Sequence, residues 1–198
     1  MSTPAKEIAP SPHPGMGFPQ FVVLMAAMMA LSAMGIDAML PALPQIAHSF
    51  QIAQANQQQL VVTVFLLSFG AAQLIFGPLV DRYGRKPILL WGLLFYGLFS
   101  LVAALAPTFE LLLVARALQG VSISVTRVAP ISIIRDCYSG RKMAQVMSLS
   151  FLVFMAVPIL APTLGQAIIL VASWRWIFGA LTIAATLVAA WCLITLPE

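Results

Sequence analysis

Three ionisable side chains, Asp37, Arg116 and Arg127, sit inside long apolar runs. On insertion scales a charge in the middle of a membrane-spanning helix costs about 2.5–3.5 kcal/mol, so each needs a role that Leu or Ala would not fill. A carboxylate in such a place can take up and release a proton, and an arginine can hold an anion, pair with that carboxylate or tie helices together. Gln119 is one turn from Arg116 on the same helical face, so the two can act on one ligand or one neighbouring helix. Arg127 precedes Arg135 by about two turns, close enough to one membrane surface either to snorkel toward the headgroups or to face a cavity. Gln73 and Gln166 can line a pathway or hydrogen-bond between helices.

The elements that position these residues must be membrane helices. The chain has 198 residues, 61% of them hydrophobic and only 8% charged, against about 25% charged in a typical soluble domain. A span needs about 20 apolar residues, which leaves room for six. Uninterrupted apolar stretches predict helices at Phe21 to Leu43, Leu60 to Val80, Ile88 to Ala106, Leu111 to Ile134, Ala144 to Val171 and Trp174 to Leu196. The expected organisation is therefore a flexible cytoplasmic tail over residues 1–19, rich in Pro, Ser and Gly, followed by one transmembrane bundle over residues 20–198. The first apolar run is too long for the h-region of a cleavable signal peptide.

The basic residues orient the bundle. Arg82, Arg85 and Lys86 fall between the second and third predicted helices, and Arg135, Arg141 and Lys142 between the fourth and fifth. Both loops are expected in the cytoplasm, which puts both termini there as well. The net charge of +4 belongs to these loops and forms no stripe that would suit nucleic acid. With the first helix running outward and the fourth inward, Asp37 and Arg116 share a depth. They are expected to face a common polar cavity, as a direct pair or as two sides of a protonation and binding site; a fixed ion pair joining two helices is the structural alternative.

Other chemistries find little support. The cysteines, Cys137 and Cys192, have no metal or redox spacing. The methionines at 25, 28, 29, 34 and 39 have no His or Cys beside them and suit adaptable packing better than soft-metal binding. No GxSxG or HExxH motif and no paired intramembrane carboxylate points to an enzyme. No metal and no cofactor is expected.

Several runs carry a resemblance. Gly77-Pro78-Leu79-Val80-Asp81-Arg82-Tyr83-Gly84-Arg85-Lys86-Pro87 resembles the major facilitator signature G-x-L-x-D-R-x-G-R-[KR], in which Gly77 would permit close helix contact and Gly84 a positive-φ turn. Arg116-Ala117-Leu118-Gln119-Gly120 is similar to the R-x-x-Q-G motif of proton-coupled antiporters. Asp37-Ala38-Met39-Leu40-Pro41-Ala42-Leu43-Pro44 resembles a run of the Bcr/CflA drug-resistance transporters, as do Ile134-Arg135-Asp136, the Pro158–Pro162 segment with Gly165, and Trp174-Arg175-Trp176.

The resemblance implies an all-α fold in which six helices form two inverted three-helix repeats, one half of a major facilitator transporter. It implies proton-coupled efflux of drug-like or small amphipathic molecules across the inner membrane, driven by the proton gradient. Asp37, Arg116, Gln119 and Arg127 are then candidates for proton coupling or substrate binding. Gly77, Asp81, Arg82, Gly84, Arg85, Lys86 and Asp136 would form a cytoplasmic gate, and Pro158, Pro162 and Gly165 a kink in the fifth helix. The partners implied are the lipid bilayer, a drug-like substrate and a second six-helix half, because alternating access needs two bodies; that half is missing here or supplied by dimerisation. A truncated or accessory subunit that binds a partner bundle without transporting is the other expectation.

Overall fold

A computed structural model describes residues 16–54 and 56–196. The expected tail at residues 1–15 lies outside them, and residues 18 and 19, assigned to the tail from sequence, instead open the first helix: Pro19 stands in the first turn of α1 (Phe18–Asp37), where its missing N–H and fixed φ carry no penalty.

Six helical segments are long and apolar enough to cross a membrane: Phe18–Ser49, Gln57–Tyr83, Arg85–Ala104, Phe109–Cys137, Gly140–Val171 and Arg175–Thr195. Three of them are broken, each for a local chemical reason. The first comprises α1, a 3-10 turn at Leu40–Ala42 and α2 (Leu43–Ser49). Pro41 has no N–H to give to Asp37, so the regular helix stops there and the span continues in a tighter turn. The second span opens with a 3-10 turn at Gln57–Gln59 and continues as α3 (Leu60–Tyr83), and the third is the single helix α4 (Arg85–Ala104). The fourth consists of α5 (Phe109–Ile123) and α6 (Val125–Cys137), separated at Ser124. Pro130 withholds a donor from that region, while the hydroxyls of Ser124 and Thr126 donate back to the carbonyls of Val121 and Ile123 at 2.7 and 2.8 Å. The fifth consists of α7 (Gly140–Met155) and α8 (Val157–Val171), broken at Ala156 two residues before Pro158, with Pro162 inside α8. The sixth is α9 (Arg175–Thr195).

The packing has the pattern of two related triplets. The second span lies on the fourth and the fifth on the first, while the third and sixth pair with each other. Because successive spans alternate in direction, the first and fourth run opposite ways, and the relation between the triplets is an inverted one. Small residues set the closest approaches. A side chain at Gly120 would run into Ser68 and the Phe65 carbonyl of α3, and one at Gly165 would run into the Ala38 carbonyl. Backbone contact of this kind is what holds helices together where lipid offers no hydrophobic drive.

Each end of the bundle has an aromatic cluster. Phe18 and Phe21 meet Tyr138 edge-on, at centroid distances of 6.3 and 5.3 Å, at the end with the basic loops. Phe50, Phe109, Trp174 and Phe178 gather at the other. There the buried Trp174 donates its indole N–H to Ser49 and its backbone N–H to the side chain of Gln45, tying the sixth span to the first.

Candidate functional site

The centre of the bundle is built around Arg116. Its side chain is entirely enclosed and has no carboxylate partner among the described residues. Instead Nε donates to the Val61 carbonyl at 3.0 Å, Nη1 to Gln119 Oε1 at 3.1 Å and Nη2 to the Gly35 carbonyl at 2.9 Å. The Gly35 oxygen is free for this bond because the first span leaves regular helix just beyond it: Ala38 and Met39 donate to Met34 and Ile36. The arginine thus caps a helix end from the side. Its guanidinium also lies over the Phe65 ring, 4.1 Å from the centroid, a cation–π contact worth about 2 kcal/mol when water is excluded.

The network continues into α4. Gln119 Nε2 donates to Ser100 Oγ at 2.6 Å, and Ser100 donates in turn to the Tyr96 carbonyl at 2.8 Å. All four of these side chains, from Arg116 to Tyr96, are fully buried. The third span is therefore fastened to the fourth, and the fourth to the first and second, by one continuous polar chain. Tyr96 Oη is the loose end, buried with no hydrogen-bond partner among the described residues.

This arrangement changes the reading of the Asp37–Arg116 pair. No ion pair joins them, and Arg116 is fully enclosed, with backbone carbonyls from two other spans among its acceptors. Asp37 closes α1 two residues beyond Gly35, partly buried, and its carboxylate makes no hydrogen bond or ion pair among the described residues. The first span runs on to Ser49, so Asp37 also lies deeper than a position near the outer end.

Arg127, in α6, does not reach a carboxylate either. Its guanidinium rests over Phe154 at 4.7 Å and Phe151 at 5.5 Å on α7, which keeps a half-buried cation against two ring faces.

At the basic end of the bundle, α3 ends and α4 begins at one residue. Gly84 adopts φ 91°, ψ 153°, which an L side chain rarely tolerates. The turn presents Arg85 toward Asp136 at the end of α6: Nε approaches Oδ2 at 2.7 Å and Nη2 donates to Oδ1 at 3.0 Å, with both side chains about two-fifths exposed. Lys86 donates to the Leu193 carbonyl of α9 at 3.3 Å. Two members of the expected gate stand elsewhere. Asp81 is exposed and has no partner among the described residues, and Arg82 lies over the neighbouring Tyr83 ring, 5.3 Å from its centroid. Gly77 was expected to allow a close helix contact, yet nothing within this bundle comes within 4 Å of where its Cβ would be, because it is on the outward side of α3.

The sequence that defines this arrangement has relatives. The pattern of the Major Facilitator Superfamily matches residues 25–198. The chain belongs to that superfamily. Its curated relatives include the multidrug resistance protein MdtL of Shewanella oneidensis, 37% identical over 164 residues that cover 83% of this chain and 41% of that protein. They also include a chloramphenicol resistance protein of Pseudomonas aeruginosa, 36% identical over 173 residues covering 86% and 41%. The uncharacterised major-facilitator transporter YdgK of Bacillus subtilis is 35% identical over 177 residues covering 88% and 44%. The chain spans about half the length of the curated relatives it matches. As a member of the superfamily it is a multi-pass membrane protein, and its six spans form one half of a major facilitator fold.

Residues that sequence reasoning missed are mostly partners of ones it found. Ser100 and Tyr96 left a visible trace, two polar groups four residues apart in an apolar run. Gly35 and Val61 left none, since what they contribute is a main-chain carbonyl.

Proposed function

We propose that this bundle is the N-terminal-type half of a proton-coupled drug efflux antiporter, working across the inner membrane with both termini in the cytoplasm. The observation that carries the reading is the division of labour between Arg116 and Asp37. The arginine is committed to the frame, whereas the carboxylate two residues beyond its contact with the first span is partly buried and has no partner among the described residues. An unpaired carboxylate within a span is costly as an anion and relieved by a proton, so it is suited to exchange one. Multidrug and chloramphenicol resistance among the relatives supports a drug-like substrate.

In this reading, Asp37 takes up a proton from outside as drug leaves and gives it up inside before the next drug binds. The Arg85–Asp136 ion pair closes the cytoplasmic side in one state and parts in the other. A second six-helix body, corresponding to the remaining length of the relatives, supplies the facing wall of the cavity.

The test is drug-driven proton flux in everted membrane vesicles, measured with a pH-sensitive dye, for the chain co-expressed with the second half of a matched relative. Asp37→Asn is expected to lower the flux at least tenfold with unchanged protein level. Full flux in that variant would rule Asp37 out as the coupling group. Loss of flux in Asp37→Asn together with loss of the folded protein would move Asp37 into the frame with Arg116.

A further inference from the structure

Two cavities adjoin next to Lys86, which lines the first of them. One, of about 660 Å³, is at the basic end and is lined by Arg85, Lys86, Asp136 and Leu196. The other, of about 610 Å³, is an apolar groove between α4 and α9, lined by Trp91, Leu94, Leu98 and Leu101 on one helix and Ala189 on the other. Pro87, Leu90 and Leu193 line both, so the charged mouth opens directly onto the greasy groove. Within the mouth the charges are unequal. Asp136 is neutralised by Arg85, whereas Lys86 has only the Leu193 carbonyl and, among the described residues, no carboxylate.

We propose that Lys86 and the α4–α9 groove form a binding site for one anionic phospholipid, with its phosphate on the Lys86 ammonium and one acyl chain along the groove. The dimensions fit. From Leu90 to Leu101 the groove follows about 16 Å of helix at 1.5 Å per residue, close to the ~15 Å of hydrocarbon in one leaflet. The chemistry fits as well. The ammonium has donors to spare, and the adjoining wall is apolar and open on its outer side, with Trp91, Leu94, Leu98 and Leu101 all about half exposed. Basic pockets between helices on the cytoplasmic side meet the leaflet that carries anionic lipid. Lys86 donates to α9 while belonging to α4, so a phosphate there would brace the third span against the sixth. The site rests on the cytoplasmic placement of the basic end proposed above but not on transport, and its test needs no transport.

The experiment uses the purified full chain in detergent, with Trp176→Phe and Trp191→Phe so that the groove reporter Trp91 dominates the accessible tryptophan fluorescence; Trp174 is buried at the far end. The chain is titrated with phosphatidylglycerol or phosphatidylcholine, each brominated on the acyl chain. Phosphatidylglycerol is expected to quench at a several-fold lower mole fraction. Lys86→Gln should abolish that preference while Lys86→Arg keeps it, and Ala189→Phe, which fills the groove, should reduce quenching by both lipids. Arg141→Gln, a loss of an exposed cation at the same end, should leave the preference intact. Equal quenching by the two lipids, a preference that survives Lys86→Gln, or an equal loss in Arg141→Gln would each overturn the site, the last by showing diffuse surface attraction.

Discussion

Arg116 and Arg85 both belong to conspicuous sequence motifs, and the structure gives them opposite characters. Arg116 is sealed from solvent and bonded to main-chain carbonyls of two other spans as well as to Gln119. Arg85 holds a single carboxylate at a surface where both partners remain about two-fifths exposed. A group with three bonds in a dry interior cannot let go without leaving several buried polar atoms unpaired, each costing about 1–3 kcal/mol. A half-exposed ion pair can part at little cost because water replaces what is lost. The first therefore fixes the shape of the bundle, and the second is suited to switch.

The largest effect should come from breaking the first arm of this comparison. Arg116→Leu strands the Gly35 carbonyl and Gln119 in the interior, and we expect a loss of about 3 kcal/mol or more. That should appear in thermal unfolding in detergent as a fall in Tm of many degrees and as poor folded yield. A protein as stable as wild type would remove Arg116 from the frame. Next comes Gly165→Leu, which drives a side chain into the Ala38 carbonyl next to Asp37. Overpacking of this kind costs about 1–3 kcal/mol, and the same melting experiment should register it as a smaller fall. Gly77→Leu, where nothing lies within 4 Å, provides the contrast: little change in the stability of this bundle.

Much of this was legible in the chain itself. Six apolar runs gave six spans, and charges within them marked Asp37, Arg116 and Arg127 as residues needing an explanation. The spacing of Arg116 and Gln119 put them on one face, and they are in fact hydrogen-bonded. What could not be read was the partner of Arg116. Sequence patterns pair a cation with an anion, and Asp37 was the anion at a matching depth. The actual acceptors are carbonyls at Val61 and Gly35, which every residue possesses and no alphabet distinguishes. The same limit hid the Ala38 carbonyl behind Gly165. The gate was expected as one network because the resemblance groups Gly77 to Lys86 with Asp136. Tyr83 ends α3 and the chain reverses at Gly84, so Arg85 is presented to α6 while Asp81 is left exposed on the preceding helix.

At Arg85 a small effect on stability is expected together with a loss of function. Arg85→Ala should change unfolding by no more than about 1 kcal/mol, given the exposure of the pair. Vesicle flux should nevertheless fall, and the charge swap Arg85→Asp with Asp136→Arg should restore part of it. A swap that recovers stability but no flux would mean that the ion pair is only a tether.

The central claim is that Asp37 exchanges the proton and Arg116 holds the frame. It is tested most directly by proton release from purified transporter on adding drug, followed with a soluble pH indicator in weakly buffered detergent solution. Release of close to one proton per bound drug is expected from wild type and from Arg85→Ala, and none from Asp37→Asn when that variant melts like wild type. Undiminished release from a well-folded Asp37→Asn protein would contradict the account.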